Sequence, residues 1–195
     1  MVRLSRAGAT PMRGLARAWA SGQYPVVMVQ GALPSALSDA HLAALRNLVA
    51  LLPLADVNWA LTGSMGHLLQ GAPVQPHDID VQTDEAGVRK AAELLAPYSI
   101  APLHGWESER MRSLFGAFVV DGVAVELLGA VQKRLADGSW GPPTDPAEHR
   151  RLVHVESLIV PVLSLEYEAA AYAAIGRLDR ASLLRRTLDE AAHGE

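Results

Sequence analysis

At 195 residues the chain is long enough for one well-buried domain with a small appendage. Half of its residues are hydrophobic and 19% are charged, which excludes a largely disordered chain. A formal net charge of −4 argues against a general nucleic-acid binder driven by phosphate contacts and leaves room only for a local basic patch. There is no cysteine, so disulfides, thiolate metal sites and a cysteine nucleophile are excluded as well.

The first 38 residues contain no acid, while Arg3, Arg6, Arg13 and Arg17 recur through them. That composition faintly resembles an organelle-targeting leader, but an N-terminal arm over residues 1–23 is the simpler reading. No apolar run reaches the roughly 18 residues a membrane span requires, so a soluble, cytoplasmic protein without a membrane partner is expected. Val26 to Val29 reads as a short extended segment, broken by Gly31 to Pro34. Ser38 then has the character of a helix N-cap, with Leu42, Leu45, Val49 and Leu52 at helical spacing and Pro53 as the stop. Val57 to Leu61 reads as a strand entering a Gly63-Ser64 turn, followed by a short helix over Met65 to Gln70 and a loop from Ala72 to His77.

Asp78 to Gln82 alternates as a brief strand, and Asp84 can cap a helix to about Leu95 with Val88, Ala91, Ala92 and Leu95 on its buried side. Ser99 to Ala101 is a possible edge strand. A hairpin signal comes next: Leu114 to Val120, the turn Asp121-Gly122, and Val123 to Leu128. Gly138 to Pro146 is rich in loop residues. Leu152 to Val155 and Leu158 to Val160 read as a strand pair. From Ser164 the pattern turns helical, closes at Gly176, and resumes from about Asp179. Strands mixed with helices, including an antiparallel hairpin, predict an α/β (α+β) fold: a two-layer mixed sheet with helices and a C-terminal helical segment.

The chemistry is concentrated between residues 61 and 126. Asp78 and Asp80, at i and i+2 on a strand, would share one face with their Cα atoms roughly 6.5–7 Å apart. Like charges that close are unfavourable unless a cation sits with them, and hard oxygen ligands suit a divalent ion such as Mg²⁺. Thirteen residues separate Asp78 from Ser64, which follows Gly63 at a turn before a helix, a natural seat for phosphate. Glu126 is an isolated acid within an otherwise apolar strand, costly there without a partner, and is the candidate third carboxylate. Lys133 could neutralise a triphosphate, although a solvent-facing role suits it slightly better. None of the seven histidines forms a metal-type helical pair; His77 precedes the first aspartate, and His67 carries no assigned role. Trp59 reads as core, Tyr167 and Tyr172 as packing residues, and Arg177, Arg180, Arg185 and Arg186 as a solvated basic face.

The string GSMGHLLQGAPVQPHDIDV resembles the signature of the DNA polymerase beta-like nucleotidyltransferase superfamily: a glycine-serine pair, a spacer, and two acids flanking one apolar residue. The run from Val160 to Tyr167 and that from Gly176 to Arg180 are similar to small bacterial minimal nucleotidyltransferases. The resemblance implies a nucleotidyltransferase-like domain over 24–160, a helical segment over 161–195, and transfer of a nucleoside monophosphate from an Mg²⁺-bound triphosphate, ATP among the possible donors. It assigns Gly63 and Ser64 to the phosphates, Asp78 and Asp80 to the nucleotide-bound metal, and Glu126 to a second metal and the acceptor. Two departures stand out, a glutamate where aspartate is usual at the third position and a long spacer. The acceptor is expected to be a hydroxyl or phosphate of a small molecule rather than tRNA or a protein, with a helical partner protein possible. The rival reading is a degenerate nucleotide-binding module, possible in a toxin–antitoxin pair; a metal-dependent phosphohydrolase fits the Gly-Ser turn less well.

Overall fold

The computed structural model describes residues 26–27, 35–135 and 137–193. The expected arm over 1–23, Met28, Val29 and the break before Ser35 lie outside the described residues. Among the described residues eight strands form one sheet: β1 (Val26–Val27), β2 (Trp59–Thr62), β3 (Ile79–Thr83), β4 (Ser99–Glu107), β5 (Met111–Val120), β6 (Val123–Lys133), β7 (Arg150–Val155) and β8 (Leu158–Leu163). Their spatial order is β1-β7-β8-β2-β3-β6-β5-β4. The pairs β1/β7, β8/β2 and β3/β6 run parallel and the other neighbours antiparallel, so the expected mixed sheet is present.

The helices are α1 (Asp39–Leu51), α2 (Gly63–Leu68), α3 (Glu85–Leu94), a short α4 (Pro146–His149), α5 (Leu165–Ala174) and α6 (Leu178–His193). Ser38 caps α1, its hydroxyl accepting from the His41 amide at 3.3 Å. Asp84 caps α3 through Oδ1, which accepts from the Gly87 amide at 2.6 Å, while Oδ2 accepts from Asn58 Nδ2 at 2.8 Å. Ser164 caps α5, and Gly176, at φ +76, ends it before α6.

One face of the sheet is the main core. Leu42, Leu45 and Leu48 of α1 and Val88 and Ala91 of α3 pack on Ile79 and Val81 of β3 and Val125 and Leu127 of β6. Trp59 belongs to this core and its Nε1 donates to the Leu52 carbonyl at 2.6 Å, which satisfies the one polar atom that its burial would strand. Burying each such large side chain contributes about 1.5–3 kcal/mol. A second, smaller cluster joins Leu165, Ala169 and Leu184 of α5 and α6 to Ala72, ahead of β3. It holds the two C-terminal helices on the other side of the sheet.

Several boundaries differ from the sequence reading, each for a physical reason. Asp78 stands one residue before β3 rather than in it, because ladder pairing begins with Ile79 opposite Val125. Helix α2 starts at Gly63 itself, so the Gly-Ser pair is a first helical turn and not a separate loop. Two strands are longer than their apolar alternation: the edge strand β4 extends to Glu107 and the hairpin strand β6 to Lys133, held by backbone pairing where the side-chain pattern gives no signal. Strand β8 continues to Leu163, three residues past the strand end expected at Val160. The Asp121-Gly122 turn is as expected, with φ of 50° and 79°.

Candidate active site

Three neighbouring strands set the site's geometry. Thr62 of β2, Asp80 of β3 and Glu126 of β6 are Cα partners in one row across the sheet. Adjacent strands stand about 4.8 Å apart, so Asp80 and Glu126 project side by side from the face opposite the main core. Gly63 follows Thr62 directly at φ +64, and a Cβ there would come within 2.0 Å of Asp80 Oδ2. The aspartate therefore lies against bare backbone at the first turn of α2, whose leading amides have no partner inside the helix.

Burial raises the Asp80 carboxyl to about 7, with Asp78, Glu126 and Glu168 adding to the shift in that order. Glu126 is raised too, by burial first and Asp78 second. Asp78 thus acts on both acids from its place ahead of β3. The result is a group of mutually repelling carboxylates that invites positive charge.

Asp80, Glu126 and Glu168 line a cleft of about 250 Å³ between the sheet and α5. Its sheet side carries Thr62, Gly63, Asp80, Glu126 and Lys133, and its helix side Tyr167, Glu168 and Tyr172, with Arg177 just beyond α5. Lys133 Nζ donates to the Tyr167 hydroxyl at 2.6 Å and sits 4.7 Å from that ring's centroid. His149 stacks on Tyr167 with centroids 3.9 Å apart, and burial chiefly holds its imidazole below its ordinary pKa. Arg177 lies over the Tyr172 ring at 5.0 Å. The Tyr172 phenol is pushed up to about 12 by burial and then by Glu168, so it stays protonated and serves only as a neutral group. Lys133 and Arg177 form no ion pair among the described residues, and the cleft therefore holds two unneutralised cations together with its acids.

Of the residues expected from sequence, Gly63, Asp80, Glu126 and Lys133 line this cleft; Ser64 and Asp78 do not. Lys133 ends β6 rather than following it, and its direction depends on a bulge. Leu114 pairs with Gly129 but Arg112 with Gln132, so Ser113 faces two residues, one of them Ala130 at φ +51. The extra residue reverses the alternation, bringing Val131 and Lys133 onto the same side as Glu126. Gly129 permits the close approach of α3 beside it, since a Cβ there would lie 2.3 Å from Val88 Cβ. His77 lies exposed in the loop ahead of β3 and is not among the residues that line the cleft.

Thr62, Glu168 and the cleft-facing roles of Tyr167, Tyr172 and Arg177 escaped the sequence reading. For Glu168 a signal existed: Leu165, Glu168, Ala169 and Tyr172 fall at i, i+3, i+4 and i+7, which makes Glu168 an isolated acid on the buried stripe of its helix. His67, also given no role, proves to be buried beside Glu168.

The model of the aminoglycoside-2''-adenylyltransferase family matches residues 44–183, well over half of the chain and all of the site. The chain belongs to this family. A crystal structure of a candidate nucleotidyltransferase from Thermotoga maritima superposes with a TM-score of 0.67 at 40% identity, covering 77% of this chain and 93% of that one. The family and the fold together place the chain among the nucleotidyltransferases. ANT(2'')-Ia in complex with adenylyl-2''-tobramycin aligns over 75% of this chain and 95% of its own at 9% identity, but its TM-score of 0.42 is too low to carry an argument. A further relative is the bifunctional protein MnmC of tRNA 5-methylaminomethyl-2-thiouridine biosynthesis from Methylibium petroleiphilum, 32% identical over 108 residues. That match takes in 55% of this chain but only 16% of the relative's length. No helix among the described residues is long and apolar enough to cross a membrane.

Proposed function

We propose that this member of the aminoglycoside-2''-adenylyltransferase family is an Mg²⁺-dependent nucleotidyltransferase that moves a nucleoside monophosphate from a triphosphate to an acceptor hydroxyl or phosphate. A small-molecule acceptor is favoured over tRNA or protein. The observation that carries this reading is the row Thr62–Asp80–Glu126 sharing one cleft with Lys133 of the same sheet and with Arg177 beyond α5.

The donor set fits Mg²⁺. The acids offer hard oxygens, and Asp80 is held in a setting where an unpaired negative charge is costly. Among the described residues no three histidine or acidic side chains stand together as a ready cage. That suits an ion that is normally bound by one or two carboxylates and completes its shell with water and substrate phosphates. Asp78 and Asp80 would hold the nucleotide-bound ion, and Glu126 would help with a second. When bound, the ion neutralises charge on the phosphates being separated. The Gly63 and Ser64 amides would donate to the phosphate tail, and Lys133, on the same wall as Glu126, would balance its charge. Glu126, whose pKa is raised, is placed to take the acceptor's proton. The tyrosines and α5 narrow the cleft and limit water there.

The test is a thermal shift with ATP, GTP, CTP and UTP, with and without Mg²⁺, for wild type and Asp80→Asn, together with pyrophosphate release in the presence of acceptors. A saturating ligand at about 100 times its Kd adds roughly 2.7 kcal/mol. An Mg²⁺-dependent shift in wild type that disappears in the variant is expected. Retained turnover in Asp80→Asn would sink the assignment. The glutamate at the third position favours a second reading, a nucleotide-binding module without transfer, and that reading predicts binding with no pyrophosphate released under any acceptor.

A further inference from the structure

One buried acid of the cleft is not explained by metal or phosphate binding. Glu168 is 4% exposed and sits on α5, outside the strands that carry the other acids. Both of its oxygens are engaged. Oε1 accepts a short hydrogen bond from the Thr62 hydroxyl, and Oε2 lies 3.4 Å from His67 Nε2. The latter is an ion-pair distance without hydrogen-bond alignment, and His67, 1% exposed, has no hydrogen-bonding partner at either ring nitrogen among the described residues. A carboxylate held this way is poorly placed to work as a free base, but well placed to fix what it touches.

What it touches is the entry to the site. Thr62 is the cross-strand partner of Asp80 and the residue immediately before Gly63. Thr62 is also the N-cap of α2, yet its side chain makes no capping hydrogen bond to that helix, because its hydroxyl is turned to Glu168 instead. His67 lies in the same six-residue helix. Glu168 therefore grips α2 at both ends, and the Gly63 turn between them bears directly on the Asp80 carboxylate.

We propose that Glu168 is a positioning residue, tying α5 to Thr62 so that the Gly63 turn and Asp80 keep the geometry that Mg²⁺-nucleotide requires. This rests on the nucleotidyltransferase reading above. It makes the C-terminal helix pair part of the nucleotide site rather than a separate acceptor lobe. Because the effect passes through Thr62, loss of either member of the pair should have the same consequence.

The experiment is calorimetric titration of the full chain with Mg²⁺ and the nucleotide that wild type binds, for Glu168→Ala, Glu168→Gln, Thr62→Val and the double variant Thr62→Val/Glu168→Ala, with circular dichroism at the same temperature. Glu168→Ala and Thr62→Val should each weaken binding by about tenfold or more, as losses of residues that orient ligands usually do. The double variant should lose little beyond either single one, because the two substitutions break one interaction. Glu168→Gln keeps an acceptor for the Thr62 hydroxyl and should recover most of the affinity, which a purely electrostatic role would not allow. Folded Glu168→Ala or Thr62→Val protein with wild-type affinity overturns the proposal, as do multiplying losses in the double variant. Should Glu168→Ala not fold, Thr62→Val alone decides. If wild type binds none of the four nucleotides, the functional reading fails, and this inference falls with it.

Discussion

The Asp80 carboxylate lies against the α-carbon of Gly63, so close that a Cβ at residue 63 would stand 2.0 Å from Oδ2. The glycine is thus required twice, once by its φ of +64 and once by the space the aspartate occupies. Gly63→Ala is expected to push the carboxylate out of place. A displacement on the order of 1 Å at reacting groups costs about 100-fold in rate. Steady-state kcat/KM, read beside the melting temperature, checks this; a variant with wild-type kcat/KM would show that the contact is incidental.

Asp80 also makes a stability prediction for the metal-free protein. Its folded pKa is raised from 3.8 to about 7. The unfolded chain gives up this proton first, so between about pH 4 and pH 7 the folded state binds more protons and loses stability as pH rises. Above pH 7 the loss is complete and constant. Asp80→Asn removes the effect, so its advantage over wild type should grow from pH 4 to pH 7 and then level. Its ceiling is about 4 kcal/mol, at 1.36 kcal/mol per pH unit. Denaturant melts in EDTA across this range measure it, and a variant less stable than wild type at pH 8 would contradict it. The site would then be one in which stability is given up for charge, with Mg²⁺-nucleotide restoring it in wild type alone.

The bulge at Ala130 gives a separate test of how Lys133 reaches the cleft. Deleting Ala130 puts Val131 alone opposite Ser113 and leaves Lys133 opposite Met111 on the cleft side of β6. Nucleotide affinity should then stay near that of wild type, whereas Lys133→Ala should lower it. By contrast, Ala130→Gly keeps the bulge and relieves a left-handed alanine, and should stabilise the fold by up to about 1 kcal/mol. Equal nucleotide binding by Lys133→Ala and wild type would remove Lys133 from the site.

Asp84 supplies a control outside the cleft. It caps α3 and receives Asn58, which also donates to Asp145 Oδ1 at 2.7 Å. Asp84→Ala should cost about 0.5–2 kcal/mol in chemical denaturation, the usual range for a lost cap. Nucleotide affinity at a temperature where the variant is folded should not change. A weakened affinity would mean that α3 and the acid row are coupled.

Much of this was legible in the residues. Ser38 and Asp84 announced their helices because a short polar side chain before an apolar periodic run satisfies amides that nothing else reaches. Asp121-Gly122 announced the hairpin because both positions need positive φ. Gly63, Asp80 and Glu126 stood out because each is a residue type that its local element does not want: a glycine entering a helix and acids within apolar strands. Glu168 carried the same kind of signal on a helix, hidden by the alanines around it.

The linear chain thus determined the mixed α/β class, the caps and turns, and the identity of the central acids, since these follow from local sterics and from the cost of burying charge. Only the tertiary structure decided that Thr62, Asp80 and Glu126 share one row, that Asp78 stands outside β3, and that a one-residue bulge delivers Lys133 to the cleft. It also decided that α5 folds back to clasp Thr62 through Glu168. Strand register and helix docking are set by pairing and packing between distant segments, such as Thr62 and Glu168, 106 residues apart, and no periodicity within a segment encodes which distant neighbour it will meet.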